Sequence, residues 1–219
     1  YVQIGDMLLE FLSPLSPDET AEYGIAHIAY ITDNIQETQK ELSSSGYSFY
    51  VESKKAGSGA GKIAFFKDPN GASIELIERS ESYWEPDWVP STEILDFDHA
   101  SVCADLLGEG LHCYQDDLGM QPLHHYHFED RQFDMIYLNM GRNILELLHN
   151  AEPHQGPLMG HFALRVADVH AFARKMENEG IEVVSQPKPL ATQNGYACSI
   201  KDPDGITVEL IDRPSLFEV

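Results

Sequence analysis

The chain contains an internal repeat, and this repeat restricts the possible folds more than any other feature of the sequence. His27 and Glu75 stand 48 positions apart, and so do His161 and Glu209. The same offset of 134 residues aligns the stretch from Gly24 onward with the stretch from Leu158 onward without a gap. It superposes Asp68-Pro69 on Asp202-Pro203, Gly71 on Gly205, and Arg79 on Arg213. An ungapped match of this length indicates a duplicated structural unit.

Each copy predicts the same order of elements: a β-strand, an α-helix and three further strands, over about 55 residues. In the first copy, the strand around His27 precedes a helix that Asp33 or Asn34 can cap and that Gly46 ends. Three short apolar strands follow, the last two joined by the Asp-Pro-Asn-Gly turn. The chain is therefore predicted to be an α+β protein built from tandem β-α-β-β-β modules.

The sequence also holds a third unit and part of a fourth. The third unit begins at Glu93, with a predicted helix over Asp105–Leu118, and residues 2–12 predict one strand that closes a further unit. Residues 81–92 contain two prolines and break the pattern, which is typical of a linker. The predicted domains are an incomplete N-terminal paired module (residues 1–80), a linker (81–92) and a complete C-terminal paired module (93–219).

Composition and charge exclude several classes of partner. The 36 acidic and 14 basic residues give a net charge of -22, which would repel nucleic-acid phosphates and anionic lipid headgroups. No apolar run approaches the roughly 20 residues of a membrane helix. The three cysteines are an odd number without metal-ligand spacing, which suits a reducing cytoplasm. We expect a cytoplasmic monomer or homodimer that acts on a small molecule.

Four polar residues lie at matching places in the predicted strands of the second half: His99, Glu146, His161 and Glu209. An ionised glutamate among apolar strand residues is costly unless it is paired or bound to a metal. Two imidazoles and two carboxylates suit Ni, Co, Zn, Mn or Fe(II), with positions left open for water or substrate. These four residues are therefore candidate ligands of a divalent metal ion.

Several segments of the second half resemble the vicinal oxygen chelate superfamily, which includes glyoxalase I, methylmalonyl-CoA epimerase, fosfomycin-resistance enzymes and extradiol dioxygenases. The segments are DHASVCADLLGEGLHCYQDDLGM, NILELL, GHFALRVADV and DPDGITVELID. The resemblance covers essentially the whole chain and implies that two units pair into one cup-shaped, partly open sheet. It also implies that the metal ligands come from the first and last strands of the two units, where His99, Glu146, His161 and Glu209 stand.

The resemblance implies a function as well. The order His, Glu, His, Glu resembles bacterial glyoxalase I, which implies a metal-dependent isomerase or lyase acting on a small α-hydroxycarbonyl or thioester adduct. The reaction would pass through a metal-bound enediolate, with Glu146 or Glu209 as the catalytic base. Val102 or Cys103 replaces the arginine that grips glutathione in glyoxalases, so another thiol or acyl carrier is equally plausible.

Two other functions fit the same fold. One is a metal-free binding protein that sequesters a drug or another small molecule. The other is an extradiol-type dioxygenase, but Ser199 stands where those enzymes have a tyrosine, which argues against oxygen chemistry.

The first half matches three of the four ligand positions, with Glu10, His27 and Glu75. These residues are candidates for a second metal site. The histidine that would complete the set falls before residue 1, which suggests a longer protein, or a first site that is inactive or completed by another chain.

Three further residues are candidate substrate contacts. His125 and His127 share one face of a predicted strand, so they would contact substrate if that face pointed into the cup and would be surface histidines otherwise. Arg165 is a candidate anchor for a substrate carboxylate.

Overall fold

The computed structural model describes residues 1–13, 24–57, 59–79, 87, 89 and 91–217. The predicted linker, residues 81–92, lies mostly outside the described residues. None of the helices within the described ranges combines the length and the apolar character needed to cross a bilayer.

The elements of the first part of the chain follow the predicted unit. They are β1 (Val2–Ile4), β2 (Met7–Leu9), β3 (Ile28–Ile31), α1 (Ile35–Ser44), β4 (Phe49–Lys55), β5 (Lys62–Lys67) and β6 (Ser73–Glu78). The prediction of one strand over residues 2–12 is wrong, because β1 and β2 form an antiparallel hairpin. Gly5 makes the turn at a φ of 60°, a conformation that glycine adopts without steric cost.

The second part of the chain contains the two paired units. Its elements are β7 (Ile94–Cys103), α2 (Leu107–Leu111), β8 (Gln121–Phe128), β9 (Phe133–Met140), β10 (Asn143–Asn150), β11 (Met159–Val166), α3 (Val169–Asn178), β12 (Val183–Pro189), β13 (Tyr196–Lys201) and β14 (Thr207–Ile211). The predicted helix over Asp105–Leu118 is shorter at its start and changes type, since α2 continues as a π-helical segment over His112–Asp117. There Leu118 N donates to Cys113 O, five residues back.

Sequence signals explain where the two longer helices begin. Asn34 is extended, and its side chain accepts a hydrogen bond from Glu37 N at 3.2 Å, so it caps α1. Asp168 caps α3 in the same way and accepts from Ala171 N at 2.8 Å. Both caps stand one residue before the first helical residue of repeat-equivalent helices.

Three sheets make up the described structure. One has eight strands in the order β12-β13-β14-β11-β7-β10-β9-β8, one has four in the order β3-β6-β5-β4, and the third is the β1–β2 hairpin. In the eight-stranded sheet, β7 and β11 are antiparallel at the centre, and each has the last strand of its own unit parallel on its outer side. The α+β class and the paired β-α-β-β-β modules are therefore confirmed.

A shared apolar core joins the first unit to the third. Ile35, Phe66 and Ile74 of the first unit lie in the same buried cluster as Tyr114 and Leu147 of the third. A second cluster lies around α3 and the strands of the last unit. Both clusters are formed by the residues that alternate with the predicted ligands along the strands, so the ligand-bearing face remains outside these cores.

Residues of the Asp68–Gly71 turn form hydrogen bonds with the third unit beside this shared core. Tyr114 OH donates to the Asp68 carboxylate at 2.9 Å, and Leu106 N donates to Asn70 Oδ1 at 2.7 Å. Asp68 is buried, whereas Pro203, Asp204 and Gly205 in the equivalent turn of the last unit are exposed. The equivalent turns, Asp-Pro-Asn-Gly and Asp-Pro-Asp-Gly, therefore lie at an interface in one copy and at the surface in the other.

Candidate metal centre

The four predicted ligands of the second half lie on the four central strands of the eight-stranded sheet. The strand register forms two rows, Glu146–Ser101–His161 and Glu209–Ala163–His99. His99 and Ser101 are two positions apart on β7, and His161 and Ala163 are two positions apart on β11. Because side chains two positions apart on a strand share a face, both rows point to the same side of the sheet.

The ligand atoms of His99, Glu146 and His161 lie within 4.8 Å of one another, and the Glu209 carboxylate lies beside the two histidines. The two Nε2 atoms of His99 and His161 are 3.2 Å apart. Oε2 of Glu146 lies 3.3 Å from His99 Nε2 and 3.5 Å from His161 Nε2, and Oε2 of Glu209 lies 3.6 and 3.8 Å from the same two atoms. Ligands about 2.1 Å from a shared cation are separated by about 3.0–3.4 Å at neighbouring positions, so the donor atoms of His99, Glu146 and His161 fit a divalent metal ion, and Glu209 is the nearest further carboxylate.

The cluster has a closed side and an open side. The side chains of His99 and Glu146 are 1% and 4% exposed, whereas those of His161 and Glu209 are 19% and 24% exposed. A substrate can therefore approach from the side of His161 and Glu209.

A β-bulge in β7 supports His99. The pairing of β11 with β7 passes from His99 directly to Phe97, so Asp98 is the extra residue. Asp98 Oδ1 accepts a hydrogen bond from His99 Nδ1 at 2.7 Å and from Arg213 Nη2 at 2.5 Å. Burial raises the pKa of Asp98, but the His99 ring and the Arg213 guanidinium outweigh it and lower that pKa to about 2.

The pKa values of the two histidines are shifted in opposite directions. Burial lowers the pKa of His99, but the carboxylates of Glu146 and Asp98 outweigh burial and raise it to about 10. Burial and the nearby His99 ring lower the pKa of His161 to about 4. In the metal-free protein, His99 therefore carries a proton at neutral pH, and His161 is a neutral imidazole.

The pKa values of the two carboxylates are also shifted in opposite directions. Burial raises the pKa of Glu146, but the charge and hydrogen bond of His99 lower it to about 2. Burial raises the pKa of Glu209 to about 7, and the charge of Glu146 adds to this effect. Glu146 is thus a permanent anion, while Glu209 can gain or lose a proton near neutral pH.

The predicted second cluster also comes together. His27 Nε2 lies 3.1 Å from Glu75 Oε2 and 3.9 Å from Glu10 Oε2, and the three ligand atoms lie within 4.8 Å of one another. Beside them is a cavity of about 250 Å³ that Tyr1 and Arg79 help to line. Burial and a hydrogen bond to Glu10 raise the pKa of Tyr1 to about 12. One imidazole and two carboxylates form this set, against two of each in the C-terminal cluster.

His125 and His127 lie on the other face of the sheet. The register pairs His124 with Tyr137, and Tyr137 with Glu146, so His124 is on the ligand face and its neighbour His125 is not. His125 Nε2 and His127 Nδ1 lie 2.7 and 2.9 Å from the same carboxylate oxygen of Asp134. The structure therefore places these two histidines away from the cluster, at a surface-exposed hydrogen-bonded group.

Arg165 shares the face of His161, four residues further along β11. Its guanidinium donates two hydrogen bonds to the Asp96 carboxylate, at 2.9 and 2.7 Å. This pairing gives Arg165 a clear role in joining β11 to β7, beside its predicted role as a substrate anchor.

Sequence reasoning missed three residues that surround the cluster: Asp98, Arg213 and Tyr137. In the sequence, Arg213 was identified only as the repeat equivalent of Arg79, and Asp98 was only the residue before His99. Tyr137 OH accepts from Arg213 Nη1 at 3.4 Å, and the ring centroids of Tyr137 and His99 are 5.7 Å apart. The bulge that turns Asp98 toward His99 has no signal in the hydrophobic pattern.

Comparison with known proteins shows the family of the chain. The model of the Glyoxalase/Bleomycin resistance protein/Dioxygenase superfamily matches residues 2–76 and 96–210. The chain belongs to this superfamily. The resemblance found in the sequence is therefore confirmed, together with the fold class that it implied.

Individual members of the superfamily are more distant. The chain is 27% identical to glyoxalase I of Saccharomyces cerevisiae, covering 89% of this chain but only 65% of the yeast protein. It is 29% identical to a probable lactoylglutathione lyase of Synechocystis, over 53% of this chain and 95% of that protein. The structure of the 2,3-dioxygenase LapB from Pseudomonas has a TM-score of 0.64 at 18% identity, covering 87% of this chain and 73% of LapB, and it shows a common fold alone.

Proposed function

We propose that the chain is a metal-dependent lyase or isomerase of the glyoxalase type, with His99, Glu146, His161 and Glu209 as its metal ligands. The observation that carries this proposal is the convergence of the ligand atoms of His99, Glu146 and His161 within 4.8 Å of one another on a half-open face, with Glu209 Oε2 3.6 and 3.8 Å from the two imidazoles.

The substrate class follows from the relatives and from the open side of the cluster. The names glyoxalase I and lactoylglutathione lyase support a small α-hydroxycarbonyl adduct of a thiol. The carrier thiol differs from glutathione if Val102 or Cys103 replaces the arginine that grips it. A bound divalent cation would polarise the substrate oxygens as a Lewis acid.

The four candidate ligands would then have different roles in the reaction. Glu209 is 24% exposed on the open side, and this position suits a base that takes a proton from one substrate carbon and returns it to the next. Glu146 is buried and remains ionised, which suits a ligand that stays in place. His99 donates a hydrogen bond from Nδ1 to Asp98, and His161 faces the open side.

Substitution of the base tests this assignment. We expect Glu209→Gln to lower kcat for a hemithioacetal substrate by about 10²- to 10⁴-fold, because the amide cannot accept the proton. Glu177→Gln changes an exposed carboxylate on α3 in the same way and is expected to leave kcat unchanged. Steady-state kinetics on both variants, with the metal content measured alongside, would contradict the assignment if Glu209→Gln kept full activity.

Metal analysis tests the proposal as a whole and separates it from metal-free binding. Chelation is expected to abolish activity, and added divalent metal to restore it. A metal-free binding protein would instead hold its ligand with the same affinity in the presence of a chelator. The proposal fails if separate titrations with Ni, Co, Zn, Mn and Fe(II) each show less than about half an equivalent of bound metal.

We also propose that Glu10, His27 and Glu75 form a second and weaker cation site. Their ligand atoms lie within 4.8 Å of one another beside a cavity, which supports this assignment. With a single imidazole, the set offers fewer nitrogen donors to a borderline metal than the C-terminal cluster does, so lower affinity is expected.

A further inference from the structure

The C-terminal cluster is built asymmetrically around its two histidines. Both central strands carry a β-bulge immediately before the histidine, since the β11–β7 pairing skips Asp98 before His99 and Gly160 before His161. The two bulges are therefore equivalent positions of the two units. One holds a carboxylate and the other holds no side chain.

The carboxylate in the first bulge belongs to a buried network. The side chains of Asp98 and Arg213 are 3% and 1% exposed. Besides its bond from His99, Asp98 accepts from Arg213 through both oxygens, at 2.5 and 3.3 Å. The Arg213 guanidinium lies 4.9 Å from the centre of the Tyr137 ring and donates to the Tyr137 hydroxyl.

Stability alone does not account for this network. A buried ion pair gains little over well-packed apolar side chains of the same volume, because both charges lose their hydration. What the network does determine is the direction of the His99 ring. With Nδ1–H donated to Asp98, the ring must present Nε2 to Glu146 and His161, at 3.3 and 3.2 Å.

We propose that Asp98, itself held by Arg213, is a positioning residue that fixes the His99 ring with Nε2 directed into the cluster. His99 is then the anchored histidine, and His161, which follows a glycine, is the adjustable one. The consequence for metal affinity rests on the proposed function, whereas the hydrogen bond and the ring orientation do not depend on it. Partners of this kind behind a metal-binding histidine contribute about 10- to 100-fold to metal affinity.

The main test removes both charges together. The double variant Asp98→Ala/Arg213→Met leaves neither buried charge without its partner. Asp98→Asn is the second variant, because it keeps the shape of the side chain and an acceptor for Nδ1–H. Asp134→Asn is the matched control, since Asp134 also accepts from histidines but lies on the other face of the sheet.

Two measurements are needed. The first is proton NMR of histidine-labelled, metal-free protein, in which His99 Nδ1–H is expected to give a slowly exchanging low-field signal that the double variant loses. The second is Zn²⁺ affinity by competition titration. We expect the double variant to bind Zn²⁺ about 10- to 100-fold more weakly, Asp98→Asn to fall between it and the unsubstituted protein, and Asp134→Asn to bind normally.

The outcomes separate this inference from the proposed function. If the unsubstituted protein binds no Zn²⁺, the proposed function fails, and the NMR signal alone decides whether Asp98 positions His99. If the double variant keeps the low-field signal and full Zn²⁺ affinity, the positioning role is overturned. Should the double variant not fold, full Zn²⁺ affinity in Asp98→Asn overturns it as well, because the neutral amide accepts Nδ1–H more weakly than the carboxylate does.

Discussion

Gly61 and Gly195 are equivalent residues of the repeat, and at each of them a Cβ atom would collide with the backbone. A Cβ on Gly195 would lie 2.9 Å from both N and Cα of Arg213, and one on Gly61 would lie 2.9 Å from Cα of Arg79. Real Cβ atoms do not approach backbone this closely. Each glycine therefore allows the backbone just before β5 or β13 to pass directly beside the arginine that follows the last strand of the same unit.

Substitution of Gly195 is expected to be destabilising for this reason. We expect Gly195→Ala to lower the free energy of unfolding by about 1–3 kcal/mol, because the added methyl group forces a backbone shift. Gly108, in α2, has open space at the Cβ position, so Gly108→Ala is expected to be neutral or slightly stabilising. Urea unfolding of both variants checks the difference, and equal midpoints would contradict the steric argument.

Metal affinity is expected to rise with pH. The pKa values of His99 and Glu209 are raised to about 10 and about 7, so the metal must displace a proton from His99 below pH 10 and from Glu209 below pH 7. Glu209 faces His99, Glu146, Asp98 and Arg213, of which only His99 changes charge between pH 7 and 10. Affinity should therefore increase about tenfold per pH unit above pH 7 and more steeply below it.

Titration of Zn²⁺ at several pH values from 6 to about 8.5 measures this slope. The variant Glu209→Gln carries no titrating group at that position, so its additional dependence below pH 7 should disappear. An affinity that does not change with pH would mean that neither group holds a displaceable proton.

At the scale of single residues, the clustering of the four candidate ligands was predictable, and the residues around the cluster were not. The repeat spacing pointed to His161 and Glu209, because a duplicated polar residue in an apolar strand needs a partner. The faces of His125 and His127 could not be read from the sequence. Alternation shows that the two share a face, but only the register with β9 decides which face that is.

At the scale of elements, the helices were the most predictable part of the chain. Asn34 and the glycines after each helix act locally, so their signals survive in any tertiary context. The hairpin at Gly5 and the π-helical segment of His112–Asp117 were missed. The π-helical segment depends on packing, since it places Cys113 and Tyr114 in the core shared by two units.

The start of α1 offers a direct test of the capping argument. We expect Asn34→Ala to cost about 1 kcal/mol in the free energy of unfolding, because Glu37 N loses its acceptor. Asp33→Ala removes the other residue that the sequence left open as the cap, and it should cost much less. Thermal unfolding of the two variants separates them, and a larger loss for Asp33→Ala would mean that the cap is misassigned.

At the scale of the whole molecule, the duplication predicts two clusters of unequal strength. We expect metal titration to give a tight site that His161→Ala removes and a weaker site that His27→Ala removes. His125→Ala is the matched control, because His125 lies on the other face of the sheet, and it should leave both sites intact. Loss of the tight site in His27→Ala would contradict the assignment of two independent clusters.

The buried turn at Asp68–Gly71 has a consequence for how the molecule unfolds. Because Asp68 and Asn70 bond directly to Tyr114 and Leu106, the first unit cannot come apart without exposing the core of the third. A cation bound only in the C-terminal cluster therefore stabilises the first unit as well, through the unfolding equilibrium that the two share. The contacts of this turn thereby couple the first and third units into one cooperative unit.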